Sequence, residues 1–331
     1  MFWHICQFPH LECCATVQIW ARLKETALCS ANDMNLVNSH KNHKNAALAR
    51  LFSASVIREL AEEGQSAKFA ALIQQAEVIR DSTIQSVGDV FDYGFAQLRR
   101  SGLRNEYVYQ SAIVQNVLLG KHSLNTASMV REFRVGKSRA DVVILNGTST
   151  VYEIKSERDT LQRLEKQVED YSKVFARSYV IASQDHVAAV LKLIPSHVGV
   201  MCLKRWNRIG TVREAVDRPS EVDPVSILGS LRKNEAVRIL KHMELAVPDV
   251  PNTQMFRALS ATFAVLDPEG VHAAMVQVLK KSRAQHSLQQ LVDNLPLSLH
   301  AAALMYNLKL SSGARLAQAV QTPIERSMLW N

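Results

Sequence analysis

Residues 139–155 read RADVVILNGTSTVYEIK. Two apolar runs, 139–145 and 150–155, flank Asn146-Gly147, a dipeptide whose residues tolerate positive φ and which is a strong hairpin signal. The stretch predicts two antiparallel strands. Side chains alternate across a strand, so Glu153 and Lys155 share one face and Ile154 takes the other. The hairpin brings Asp141, at the start of the first strand, alongside. Two carboxylates a few ångströms apart repel unless a divalent cation sits between them, and hard oxygen donors with open water positions suit Mg²⁺ or Mn²⁺. A Lys beside that cation can orient a water for attack on a phosphodiester. The triplet alone is weak, because chance gives about 1.5 acid-x-Lys matches at this composition; it occurs once. A solvated strand end with a Glu/Lys pair is the competing reading.

Working outward, residues 129–135 (MVREFRV) add a strand before the hairpin, and 105–120 a helix before that. Residues 158–175 return to helical period, with Leu161, Leu164, Val168, Tyr171 and Phe175 as a core stripe. Asp159, Arg163, Gln167 and Tyr171 follow at i+4 spacing and form a polar ridge along its border. Residues 178–183 read as a buried strand, 185–194 as a short helix stopped by Pro195, and 198–203 as a last strand. The order α-β-β-β-α-β-α-β predicts an α/β class with a mixed sheet. Upstream, 45–62 and 66–80 read as a helical hairpin around Gly64, and 84–99 as a further helix. Residues 216–224 (VDRPSEVDP) read as a linker, and everything after them is helical in period. The expected division is an irregular or non-native extension at 1–33 with Met34 an alternative start, a helical region at 34–103, the sheet domain at 104–215, and an all-helical domain at 216–331.

The chain has 331 residues and a formal net charge of +8. That length suggests about two domains. The charge is uneven: residues 1–100 balance at zero, 101–215 carry +6 and 216–331 carry +2. A local positive field suits a polyanion, because phosphate neutralisation releases counterions; an ordinary basic surface is the alternative. With 47% hydrophobic and 21% charged residues, wholesale disorder is excluded. No apolar run reaches the roughly 18 residues of a membrane span. Four of the five Cys lie in the first 33 residues, with no C-x-x-C pair and no basic leader before an apolar run, so the expected setting is a reducing cytoplasm. No Gly-rich phosphate loop and no G-x-S-x-G elbow occurs. His40-Lys41-Asn42-His43-Lys44-Asn45 reads as a polar, solvated loop, and His186, His197, His272 and His300 as isolated packing or surface residues.

The motifs Asn105-Glu106-Tyr107, Glu132-Phe133-Arg134-Val135, Arg139-Ala140-Asp141, Tyr152-Glu153-Ile154-Lys155-Ser156 and Asp159-x3-Arg163-Leu164-x2-Gln167-x3-Tyr171 resemble the PD-(D/E)XK nuclease superfamily. The Gln167/Tyr171 pair is similar to its RecB-like branch, and the whole set to an uncharacterised bacterial family within it. The resemblance covers roughly residues 104–203. It implies a restriction-endonuclease-like αβββαβ core with a mixed sheet, flanked by N- and C-terminal all-α regions. It implies Mg²⁺ or Mn²⁺ held by Asp141, Glu153, the carbonyl of Ile154 and Glu106, a water positioned by Lys155, and Gln167 and Tyr171 orienting the site. The implied activity is DNA phosphodiester hydrolysis; a catalytically inactive nucleic-acid-binding or regulatory module is the alternative.

Lys121, Arg131, Arg134, Lys137, Arg139 and Arg163 surround this site in sequence as expected phosphate contacts. Lys204, Arg205 and Arg208 with Trp206 form a second basic-aromatic cluster, in which the Trp either stacks on an unpaired base or caps the core. The helical C-terminal region is the expected place for protein partners.

Overall fold

The structure, a computed structural model, describes residues 41–78, 82–306 and 308–331. The expectations for residues 1–33 lie outside them. Residues 41–51 (α1) are helical, followed by α2 (Ala54–Glu63), α3 (Ala67–Gln75) and α4 (Val87–Leu98). The single helix expected over 45–62 is therefore two, because Phe52 and Ser53 leave the helical path before α2. Gly64 ends α2 at φ 78°, and its N–H returns to Leu60 O. Ser86 and Asp89 cap α4 reciprocally, which fixes its start.

Helix α5 (Glu106–Ile113) runs on through a π turn, Val114–Leu118, to Lys121. Then come β1 (Ser128–Val135), β2 (Ser138–Asn146), β3 (Thr148–Lys155), α6 (Leu164–Ser172), β4 (Arg177–Ala182), α7 (Val187–Leu193), β5 (Gly199–Leu203) and β6 (Ile209–Arg213). They build one open mixed sheet in the order β1-β2-β3-β4-β5-β6. The first three strands form an antiparallel meander, β3, β4 and β5 are parallel, and β6 turns back antiparallel. Gly147 makes the expected hairpin possible at φ 70°, with Asn146 paired to Thr148. The α/β class and mixed sheet match expectation. The sixth strand does not appear in the sequence reading: β6 is a half-exposed edge with no apolar alternation.

Helix α6 is shorter than the expected 158–175. Asp159 Oδ2 accepts from Ser156 N (2.7 Å) and Ser156 Oγ (2.6 Å), and this local turn competes with helix. Asp159 and Arg163 therefore precede the helix rather than share its ridge with Gln167 and Tyr171.

Among the described residues, eight further helices follow: α8 (Pro224–Ser230), α9 (Lys233–His242), α10 (Asn252–Phe263), α11 (Pro268–Ser282), α12 (Gln289–Asp293), α13 (His300–Met305), α14 (Leu310–Ala319) and α15 (Ile324–Ser327). Their apolar packing crosses the boundaries expected at residues 103 and 216. On one sheet face, Tyr152, Ile154, Ile181 and Met201 share a core with α1–α5 and with Leu291, Leu304 and Leu316. On the other, Phe133, Val143, Val151 and Tyr171 pack with Ile227, Ile239, Phe263 and Met275. Each such buried side chain contributes about 1.5–3 kcal/mol, so these helices clamp the sheet from both sides.

Candidate active site

The site grows from the β2–β3 ladder. Val142 pairs with Tyr152, so the next position sets Asp141 against Glu153. Asp141 Oδ2 accepts from Ile154 N at 2.7 Å, which pins the carboxyl to the strand end. On the same face as Glu153 stands α6. Glu153 Oε1 accepts from Lys155 Nζ (2.7 Å) and Gln167 Nε2 (2.6 Å). Tyr171 Oη lies 2.8 Å from Glu153 Oε2 and 2.9 Å from Arg139 O, and its single proton serves one of them at a time. Lys155 Nζ also donates to Gln167 Oε1 at 3.0 Å. Glu153 and Lys155 are both buried. A buried ion pair needs its remaining hydrogen-bonding capacity filled, and Gln167 and Tyr171 fill it.

Glu153, Lys155 and Gln167 line a cleft of about 490 Å³ together with Glu106, Glu132 and Asp141. Carboxylate oxygens of those three lie within 4.8 Å of one another. Glu106 opens α5, where Asn105 caps through its side chain to Val108 N. Glu132 lies on β1 at φ 52°, in the left-handed region that a non-glycine residue enters only when held there. The β1–β2 ladder skips the Glu132–Asp141 rung, and both carboxylates of that rung face the cleft. Burial pushes the Asp141 carboxyl up to about 8, with the charges of Glu153 and Glu106 adding to it, against the Ile154 N–H and Lys155. Glu106 is raised as well, by burial first and then by Glu132. Burial is the first cause of both shifts, and acids perturbed in this way inside a cleft mark it as a candidate functional site.

Of the basic residues expected around the site, Lys137, Arg139 and Arg163 line the cleft. Arg139 pairs with Glu132 at 3.0 Å. Arg131 instead stacks over Tyr306, and Arg134 donates to Gly136 O. Lys121 lines a separate pocket with Thr148 and Thr150, at the end of β3 opposite Lys155; the strand is about 23 Å long. Lys204 and Arg205 are exposed on the β5–β6 connection. The acid that sequence reasoning passed over is Glu132. Its position opposite Asp141 follows only from strand register.

Residues 99–303, more than half of the chain, match the family described as Bacteriophage P4 protein cII. Protein cII of Enterobacteria phage P4 is 23% identical over 198 residues, covering 58% of this chain and 74% of that protein. Among solved structures, a protein of unknown function from Silicibacter pomeroyi, SPO1766, shares 21% identity over 36% of this chain and 82% of its own, with a TM-score of 0.26, a likeness too slight to bear on the fold. The chain belongs to the Bacteriophage P4 protein cII family.

Proposed function

We propose that the chain is a metal-dependent nuclease of PD-(D/E)XK type that hydrolyses phosphodiester bonds in DNA. The observation that carries this reading is the meeting of Asp141, Glu153 and Lys155, from adjacent strands, with Gln167 in one cleft, where Tyr171 bonds Glu153 from behind. The run of α5, the β1–β3 meander, crossover α6 and parallel β4 supports a restriction-endonuclease-like core.

The donor set fits Mg²⁺ or Mn²⁺: hard carboxylate oxygens from Asp141, Glu106 and Glu132, with room for water. When bound, such a cation supplies Lewis acidity toward the scissile phosphodiester. The two oxygens of Glu153 are already engaged by Lys155, Gln167 and Tyr171, so Glu153 holds the lysine in place. Lys155, fixed by Glu153 and Gln167, orients the attacking water and offsets charge that develops on the phosphate oxygens. Lys137, Arg139 and Arg163 grip flanking phosphates. The +6 balance of residues 101–215 steers DNA toward this edge of the sheet. No helix among the described residues is long and apolar enough to cross a membrane.

The test is cleavage of supercoiled and linear DNA with Mg²⁺ or Mn²⁺ by the wild type, Asp141→Ala and Lys155→Ala. Each substitution should lower the rate by at least about 10²-fold. Equal activity in all three proteins refutes the reading. Salt-sensitive, EDTA-insensitive DNA binding without cleavage would favour a non-catalytic module on the same fold.

A further inference from the structure

The β5–β6 connection, Lys204-Arg205-Trp206-Asn207-Arg208, holds an indole in water. Trp206 is 80% exposed, so it caps no core. Trp206 and Asn207 both adopt left-handed backbone, at φ 61° and 59°. A bulky residue enters that region at a free-energy cost and stays only where its surroundings hold it. Here Asn207 is buried: its Nδ2 donates to Gln115 Oε1, and its carbonyl accepts from Asn116 Nδ2, each at 2.8 Å. Lys204 N closes the turn onto Arg208 O at 2.8 Å. Gln115 and Asn116 belong to the π turn of α5, a distortion that often marks functional sites.

The chemistry around the ring is cationic. Lys204, Arg205 and Arg208 are exposed, and none is in an ion pair among the described residues. The Lys204 stem lies over Gly210, where an added β-carbon would come 2.4 Å from Lys204 Cε. The turn also shares an edge with the cleft. Lys155, Ala182 and Cys202 are level across β3, β4 and β5, so the turn leaves the sheet two strand spacings, about 10 Å, from Lys155. Arg104 bridges the two places: its Nη1 donates to Leu203 O at 2.8 Å and lies 3.7 Å from Glu157, two residues past Lys155.

We infer that this turn is a stacking platform for an unpaired base, on a single-stranded DNA segment that continues into the cleft. The inference rests on the reading of the cleft as a DNA-cleaving site and names its substrate as single-stranded or frayed DNA. An indole presented on a hydrogen-bonded turn stacks on any base face, which a duplex keeps covered, while the three cations grip the backbone.

The test uses the full chain in EDTA, which prevents cleavage, with a fluorescein-labelled single strand and a duplex of the same length. Trp206→Ala should weaken single-strand binding at least about fivefold, about 1 kcal/mol at 1.4 kcal/mol per tenfold, and change duplex binding less than twofold. Trp206→Phe, which keeps an aromatic face, should recover most of the loss. Wild-type tryptophan emission should fall on single-strand addition and fall less in Trp206→Ala. Equal affinities in wild type and Trp206→Ala, an equal loss on both DNA forms, or no single-strand binding by the wild type overturns the platform. The cleavage reading is judged separately: unchanged cleavage by Lys155→Ala sinks it and leaves a Trp206-dependent binding effect standing.

Discussion

Replacing Asp141 by Asn separates charge from shape. The amide keeps an oxygen to accept from Ile154 N, so the strand end stays pinned. It removes the one carboxyl whose ordinary value of 3.8 is pushed up to about 8 by burial, Glu153 and Glu106. A folded acid held above its unfolded value stabilises the fold below the unfolded pKa and loses that contribution as pH rises through the folded one. At pH 7 the unfolded carboxyl has given up its proton and the folded one still carries it. At about 1.4 kcal/mol per pH unit between 3.8 and 7, this costs wild type up to about 4 kcal/mol relative to low pH. Asp141 faces a water-accessible cleft beside Lys155, so about half of that, ~2 kcal/mol, is expected. Thermal melts of both proteins from pH 4 to 8 read it directly. The variant should match wild type near pH 4 and melt about 3 °C higher at pH 7, and Mn²⁺ should raise the wild-type midpoint and leave the variant's unchanged. A gap that stays constant with pH, or a variant less stable than wild type at pH 7, refutes the reasoning.

Two further predictions concern the scaffold. Arg283 pairs with Glu235 at 3.0 Å and stacks over Phe133, joining α9 and α11 to the sheet. Arg283→Ala leaves the Glu235 carboxylate buried without its partner and should cost about 3 kcal/mol in urea unfolding; a loss below about 1 kcal/mol would count against the pair. At Gly199, a β-carbon would come 2.3 Å from the Tyr179 ring and 2.8 Å from Ala215 N. Gly199→Ala should therefore lower stability by at least about 2 kcal/mol, measured by the same melt, and a neutral result would show that the β5 edge yields easily.

The local grammar of the chain was legible wherever one rule dominates. Gly147 with Asn146 fixed the hairpin, and the apolar runs on either side located β1 to β5 within one or two residues. Alternation put Glu153 and Lys155 on one face, and i+4 spacing put Gln167 and Tyr171 together opposite them. The rule failed where a local bond outbid it. Ser156 and Asp159 tie a turn that periodicity cannot see, so α6 starts at Leu164. It failed again at β6, whose half-exposed residues carry no apolar alternation.

What the sequence by itself determined is thus the α/β class, the strand meander and the set of polar residues on the β3 and α6 faces, because these depend on neighbours within a few positions. Only the tertiary structure decided that Glu132 joins Glu106 and Asp141, since that depends on register between strands. It also decided that Lys121 stands at the far end of β3 and that Trp206 points into water. The same holds for the shared cores: α2 and α14 meet across the length of the chain because apolar faces are matched by shape and area, which hydrophobicity along the sequence does not encode.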